Sequence, residues 1–294
     1  MTDPALSETG PRRDSALRAM TNDGAFRVIV VRTTDTVREL LKAQHATGNV
    51  AKRLGELATG AILVRETMAP DYRLQALWRS ADRRTRLVAD SHPDGGTRGL
   101  LQYPGGAPAA PPTLAGGTLE VVRTLYSGEL HRGVVEVPDS GSMSEALMTY
   151  LQSSEQVASM VSVACVLEGT HVVAAGGYLV QLLPEVGRGP LAIMAERLRD
   201  FAQIGELLAK TDAAPHPLLD ELLYGMEFTR LTESPLSWKC RCDTVRVMSS
   251  LATLPKADLT ELIEAGKTIE LACDFCGQNY NVSPSQLVGL LEQS

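Results

Sequence analysis

Four of the five cysteines lie in two close pairs, Cys240-x-Cys242 and Cys273-x-x-Cys276, separated by 30 residues in the last fifth of the 294-residue chain. Two tight thiol pairs at that separation are the usual sequence trace of one tetrahedral four-thiolate zinc site. Gly277 follows the second pair, where the turn of a knuckle favours a residue that tolerates positive φ. Thr268–Ala272 and Tyr280–Val282 are then expected as the arms of a short hairpin. Four sulfurs complete the tetrahedron, so no position remains for an attacking water, and the site is closed. A closed site is a staple, worth on the order of 10 kcal/mol or more to a small domain.

The spacing also admits redox chemistry. Two cysteines one residue apart close only a small, strained ring, and strained disulfides are the labile kind. Metal-bound thiolates are already in the form that oxidants attack. Local pairing predicts Cys240–Cys242 and Cys273–Cys276 disulfides on oxidation, because closure within a pair needs little chain movement. Zinc release and two local disulfides together describe an oxidation sensor.

The rest of the chain sets limits on function. Residues 1–195 carry 19 Lys+Arg against 20 Asp+Glu, whereas residues 196–294 carry 9 against 15, so the cysteine end is the acidic end. A zinc ribbon that meets phosphate needs basic surface, which weighs against the main alternative, a nucleic-acid-binding or translation-associated factor. The Arg79, Arg83, Arg84, Arg86 cluster has no interleaved aromatics beyond Trp78 and is expected to be a solvated strand edge. No apolar run of membrane-spanning length occurs. Asp3, Glu8, Asp14 and Asp23 near the start do not suit a transit peptide, and a cytoplasmic location is expected. Catalytic signatures are missing too: there is no Gly-x-Ser-x-Gly elbow, no phosphate-binding Gly-x-x-x-x-Gly-Lys loop, and the five histidines are scattered singly. No enzyme is expected.

Pattern along the chain predicts an α+β fold: an N-terminal antiparallel-sheet domain with packed helices, a helical linker and a small C-terminal zinc-binding domain. Residues 1–24 are polar and broken by Pro and Gly, predicting a disordered tail. Residues 25–189 form the α+β core domain. Its strands are expected at 26–31, 73–78, 85–88, 97–101, 118–125 and 133–137, with a hairpin of 161–167 and 171–182. Helices are expected near 34–44, at 50–66 and at 143–153. The stretch 104–112 is a Pro/Gly-rich loop, and Cys165 is a core thiol. Residues 190–238 read as a helical block, its first helix ended by Pro215-His216-Pro217. Residues 239–294 hold the zinc domain, with capping boxes at Asp258-x-x-Glu261 and Ser283-x-x-Gln286.

Taken with the cysteine pairs, Ser153-Ser154-Glu155-Gln156 and Gly176-Gly177-Tyr178-Leu179-Val180-Gln181-Leu182-Leu183-Pro184 give the chain a family likeness, supported in order by Arg53-Leu54-Gly55, Arg98-Gly99 and Tyr126-Ser127-Gly128. The chain resembles the 33 kDa chaperonin (heat shock protein 33) family of redox-regulated holdase chaperones, over about residues 25–290. That resemblance implies binding of unfolded or partly unfolded client proteins without nucleotide, a homodimer on activation and one Zn2+ in the reduced state. It also implies that the 190–238 linker is metastable and the 239–294 domain a redox switch. One departure is the Arg79-Ser80-Ala81-Asp82-Arg83-Arg84 turn, where a Gly-rich turn is expected of the family.

Overall fold

The structure, a computed structural model, describes residues 13–108, 112–125, 127–183, 189–201 and 204–293. The chain forms two compact units that divide between Trp238 and Lys239. In the first unit the strands β1 (Ser15–Thr21), β2 (Phe26–Arg32), β8 (Ser159–Glu168), β9 (His171–Leu182) and β10 (Phe228–Pro235) make a five-stranded sheet, order β10-β1-β2-β9-β8. A second sheet runs β11-β5-β4-β3-β6-β7, from β3 (Arg73–Arg79), β4 (Arg86–Ser91), β5 (Gly96–Gln102), β6 (Thr118–Thr124), β7 (Leu130–Glu136) and β11 (Ser237–Trp238). Neighbours pair antiparallel, except β11 on β5.

Helix α2 (Gly48–Glu66) lies between the two sheets, which explains a sequence apolar on most faces. From Leu54 to Glu66 every one of its residues is buried. Gly55 permits the close approach to β8: a Cβ there would stand 2.7 Å from Cys165 Sγ. Helices α1 (Thr34–Ala43) and α3 (Met143–Ser154) pack against the same interior. The inner faces of both sheets contribute Ile29, Val31, Leu74, Ala76, Leu119 and Leu179 to this core.

The five-stranded sheet is apolar on both faces. Leu17, Val28, Val30, Tyr178 and Val180 point to its outer side and meet a second apolar cluster. That cluster comes from three short helices, α4 (Gly189–Leu198), α5 (Ile204–Thr211) and α6 (Pro215–Leu222), through Met194, Leu198, Ile204, Leu208, Leu218 and Leu219. A strand buried on both sides needs the near-continuous apolar run seen in Phe26–Val31.

Several expectations need correction. Within the presumed disordered tail of residues 1–24, residues 15–21 are β1, inserted between β2 and β10; residues 1–12 lie outside the described residues. Its order is fixed by partners far away in sequence, including the Arg18–Glu66 ion pair and Asp14 against the buried Arg32 at 2.5 Å. The 190–238 block is not helical throughout: residues 228–235 join the sheet as β10 and residues 237–238 as β11. Pro215 opens α6 rather than ending a helix, since proline suits the first helical position. The helix before it is broken by a 3-10 turn at Arg199–Phe201. Of the Pro-rich loop, residues 109–111 fall outside the described residues. The Arg79–Arg84 turn works without glycine because Arg83 takes φ 60° while Asp82 Oδ1 accepts the Arg84 N–H at 3.0 Å.

Candidate metal centre

The second unit contains α7 (Thr244–Leu251), α8 (Lys256–Glu264), the hairpin β12 (Ile269–Ala272) and β13 (Asn279–Val282), and α9 (Pro284–Gln293). The knuckle sits at the tip of the hairpin. Ala272 pairs with Asn279, the Cys273 N–H donates to Gln278 O at 2.9 Å, and the Gly277 N–H donates to Cys273 O at 2.7 Å. Gly277 takes φ 72°, as the knuckle requires. The other cysteine pair is held from its C-terminal side: the Asp243 carboxylate caps α7 by accepting the Arg246 N–H at 2.8 Å, directly after Cys242. Ser283 and Gln286 form the reciprocal box expected at α9, with Ser283 N–H on Gln286 Oε1 at 2.9 Å. Asp258 is no cap: α8 begins at Lys256 behind Pro255, and the acid lies in its first turn, where it favours the helix dipole.

These supports bring the two pairs together. The four sulfurs of Cys240, Cys242, Cys273 and Cys276 all lie within 4.8 Å of one another. Cys240 Sγ stands 3.8 Å from Cys273 Sγ, and Cys242 Sγ 3.3 Å from Cys276 Sγ. A tetrahedral ion with metal–sulfur bonds of about 2.3 Å spaces its ligands about 3.8 Å apart, so the cluster has the size of one coordination shell. Together, the four can hold a metal ion.

Without a cation the cluster is electrostatically unfavourable as thiolates. Burial, then hydrogen bonds to Cys242, Cys240 and Cys273, push the Cys276 thiol well above its ordinary value. Burial likewise raises Cys273, against the lowering effect of the Phe275 and Cys276 backbone N–H groups. Those N–H groups are aimed at a sulfur that is to be an anion, while the neighbouring sulfurs oppose it; a divalent cation reconciles the two. Tyr280 was not picked out by spacing. Its hydroxyl hydrogen-bonds Cys242, which together with the nearby sulfurs drives its ionisation above the usual phenol range. Asp243 was also missed, although an Asp before Thr-Val-Arg-Val is a recognisable helix start.

Cys165 stands apart in β8. It is 1% exposed, and burial, with the Glu56 charge adding to it, pushes its thiol up to about 12. Of the arginine cluster, Arg79 faces Glu120 on the neighbouring strand at 3.8 Å. Among the described residues no helix is long and apolar enough to cross a membrane.

The chain is similar to known proteins. A family model described as Hsp33 protein matches residues 14–283. The 33 kDa chaperonin of Syntrophotalea carbinolica is 32% identical over 288 residues, covering 95% of this chain and 99% of the relative. That of Desulforamulus reducens is 28% identical over 290 residues, 96% and 98% of the two chains. The solved 33 kDa chaperonin of Thermotoga maritima superimposes with a TM-score of 0.80 at 23% identity, over 96% of this chain and 99% of that one.

Proposed function

From the premise that this chain belongs to the Hsp33 family, whose membership supports a chaperone function, we propose a redox-regulated, ATP-independent holdase of the cytoplasm. It binds unfolding proteins under oxidative stress and keeps them from aggregating. The observation that carries this reading is the single cluster made by four thiols from two separated segments. The proposed ion is Zn2+, one per reduced chain, held by Cys240, Cys242, Cys273 and Cys276; zinc suits four soft sulfurs in a tetrahedron.

Activation then proceeds by oxidation at the centre. A peroxide takes two electrons from each thiolate pair; one S–S bond forms, the O–O bond breaks, and two protons complete two waters. Two such steps give Cys240–Cys242 and Cys273–Cys276 and free the ion. Sulfurs of the two pairs also approach one another, Cys240 and Cys273 at 3.8 Å and Cys242 and Cys276 at 3.3 Å. Local pairing is therefore taken to follow the parting of the two segments. Mass spectrometry that finds mainly cross-pair links rejects that order of events.

The domains acquire roles accordingly. Residues 239–294 are the switch, residues 190–238 a metastable linker, and the sheet domain the client-binding body. Loss of zinc leaves a unit of about 55 residues with little core of its own, a size that needs a staple. We infer that its unfolding loosens α4–α6, baring Leu17, Val28, Val30, Tyr178 and Val180 for clients, and that the active form is a homodimer. The test is light scattering of a thermally unfolding client, with reduced zinc-loaded protein against protein oxidised at mild heat. Suppression only after oxidation is expected; equal behaviour of both forms, or salt-dependent RNA binding without suppression, overturns the reading. Truncation at Arg188 is a blunt version, because it also strips β10 from the β1 edge. Leu208→Asp, which strikes α5 alone, is the cleaner way to bare the sheet without oxidant.

A further inference from the structure

Ser153–Gln156 and Gly176–Leu183 serve no thiol chemistry, yet both reach one place. Glu155, from the end of α3, and Gln181, from the end of β9, line a cleft of about 250 Å³ in the first unit. Its wall is apolar at Met68, Leu151, Val157 and Leu182. Its polar side holds two guanidinium groups, Arg27 from β2 and Arg123 from β6.

The charges do not cancel. Arg123 Nη1 meets Glu155 Oε2 at 2.9 Å, and its Nη2 meets His131 Nδ1 at 2.8 Å. The Arg123 Nε is buried without a hydrogen-bond partner. The second Glu155 oxygen accepts the Tyr150 hydroxyl, so both oxygens of that carboxylate are engaged. Arg27 has only neutral partners among the described residues: Gln181 Oε1, at 3.2 Å from Nε, and Thr67 O, at 3.1 Å from Nη2. Burial and the nearby Arg18 charge make its own charge costly to keep there. Among the described residues one positive charge is therefore left over in a partly buried site, on a chain whose net charge is −7. A half-buried guanidinium held in place by an amide and a carbonyl, with an open cleft before it, is arranged to meet a carboxylate.

We propose that this cleft binds a monocarboxylate attached to a small apolar body, the chemistry of a polypeptide C-terminus ending in an aliphatic residue or of a free acid of that shape. The carboxylate sits on Arg27, and the aliphatic group packs on Met68, Leu151, Val157 and Leu182. The volume is below that of drug-sized pockets, which limits the recognised portion to about one residue. Its lining belongs wholly to the first unit.

The experiment is a titration of the full-length reduced protein, followed by amide NMR shifts. The probes are N-acetyl-leucinate, its neutral amide, and a pentapeptide ending in leucine with a free or amidated terminus. N-acetyl-leucinate is expected to saturate with Kd on the order of 1 mM, shifting residues around Arg27, Met68 and Gln181. The amide binds at least tenfold more weakly. Arg27→Gln removes the preference for acid over amide, and Met68→Trp, which fills the cleft while leaving the charges, removes binding of both. A peptide that binds as well as the free acid assigns the site to C-termini; binding of the small acid alone assigns it to free acids. Equal affinity for acid and amide, shifts confined to other surfaces, or unchanged affinity in a folded Met68→Trp protein overturns the proposal.

Discussion

Trp78, Tyr150 and Phe26 are all sealed from solvent in the first unit, within apolar clusters that span both faces of a sheet. Among the described residues the second unit buries only Leu251, Leu259, Val282 and Leu287. Its hairpin strands are exposed at every second position, and among the described side chains of α9 Leu287 alone is sealed. Each buried aliphatic side chain supplies about 2 kcal/mol, while ordering a residue costs about as much. Four such side chains cannot order a unit of that length, whereas the first unit has dozens of them. On the proposed function, stability is carried by apolar area in one region and by a metal on four sulfurs in the other, and the second kind is the one that oxidation withdraws.

The largest effect expected is the one that separates these two supports. Removing the metal with a chelator, or replacing Cys273 by Ser, takes away on the order of 10 kcal/mol of binding energy. Amide resonances of 239–294 should then collapse to the random-coil region while those of α2 and β3–β6 keep their dispersion. Thiol labelling of the chelated protein should reach the four clustered cysteines and spare Cys165, which burial keeps neutral. If the second unit stays folded without metal, its small core is sufficient and the contrast fails.

Next comes a charge cluster that plays in the first unit the part the sulfurs play in the second. Asp90 is fully buried in β4 and is met by Arg73 Nε at 2.6 Å, Arg98 Nε at 2.9 Å and His92 Nε2 at 3.3 Å. Burial pushes its carboxyl up, but hydrogen bonds from His92 and Arg73 outweigh that and hold it well below the usual range. The folded pKa is the lower one, so its contribution is present above the unfolded value of about 4 and is lost as pH falls from there. Asp90→Asn should cost about 3 kcal/mol at neutral pH and flatten the acid limb of the stability curve. An unchanged acid limb would show that Asp90 is incidental.

How much of this was legible beforehand depended on whether a residue's partner is near in sequence. The knuckle was readable because Cys273, Cys276 and Gly277 define it locally, and α2 because nineteen residues carry one pattern. β1 was not, because Ala16, Ala19 and their neighbours give a weak alternation and the strand is fixed by Arg32, Glu66 and β10. β10 was harder still. Its residues are mostly exposed on both faces, so no apolar stripe exists; the β1 ladder holds it, with Ser15 Oγ donating to Glu233 at 2.6 Å and Arg18 to Ser234 at 3.1 Å. The four clustered cysteines could be named from spacing, whereas Tyr280 depends on the fold of the second unit bringing it to Cys242, and the Arg27 cleft on topology that joins segments more than a hundred residues apart.

A third test compares the two faces of the five-stranded sheet. Leu57 of α2 and Leu208 of α5 are both 0% exposed, one inside a buried helix and the other in a cover of short helices with exposed backs. Leu57→Ala should lower global stability by about 3 kcal/mol. Leu208→Ala should cost about 2 kcal/mol and act locally, raising hydrogen exchange in α5 and α6 while leaving β3–β6 protected. Equal, global effects would mean that the cover unfolds only with the whole unit and is no separate element.

The smallest effect probes how the second unit joins its helices to its sulfurs. Asp243 follows Cys242 and caps α7, so the same backbone turn that starts the helix presents Cys242 to the cluster. Loss of an N-cap costs about 1 kcal/mol, and here that cost falls on the metal-bound form, because the turn is formed only when Cys242 is in place. Asp243→Ala should therefore weaken metal retention against a competing chelator about fivefold. Asn, which also accepts the Arg246 N–H, should restore it. The thermal stability of the first unit should not move. Rescue by Asn distinguishes the cap from a charge effect: Asp243 is also a negative charge beside four sulfurs, and if its charge mattered through repulsion, both Ala and Asn would tighten binding instead. A loss with Ala, recovered with Asn, assigns the residue to holding Cys242 in the geometry that four-sulfur coordination demands.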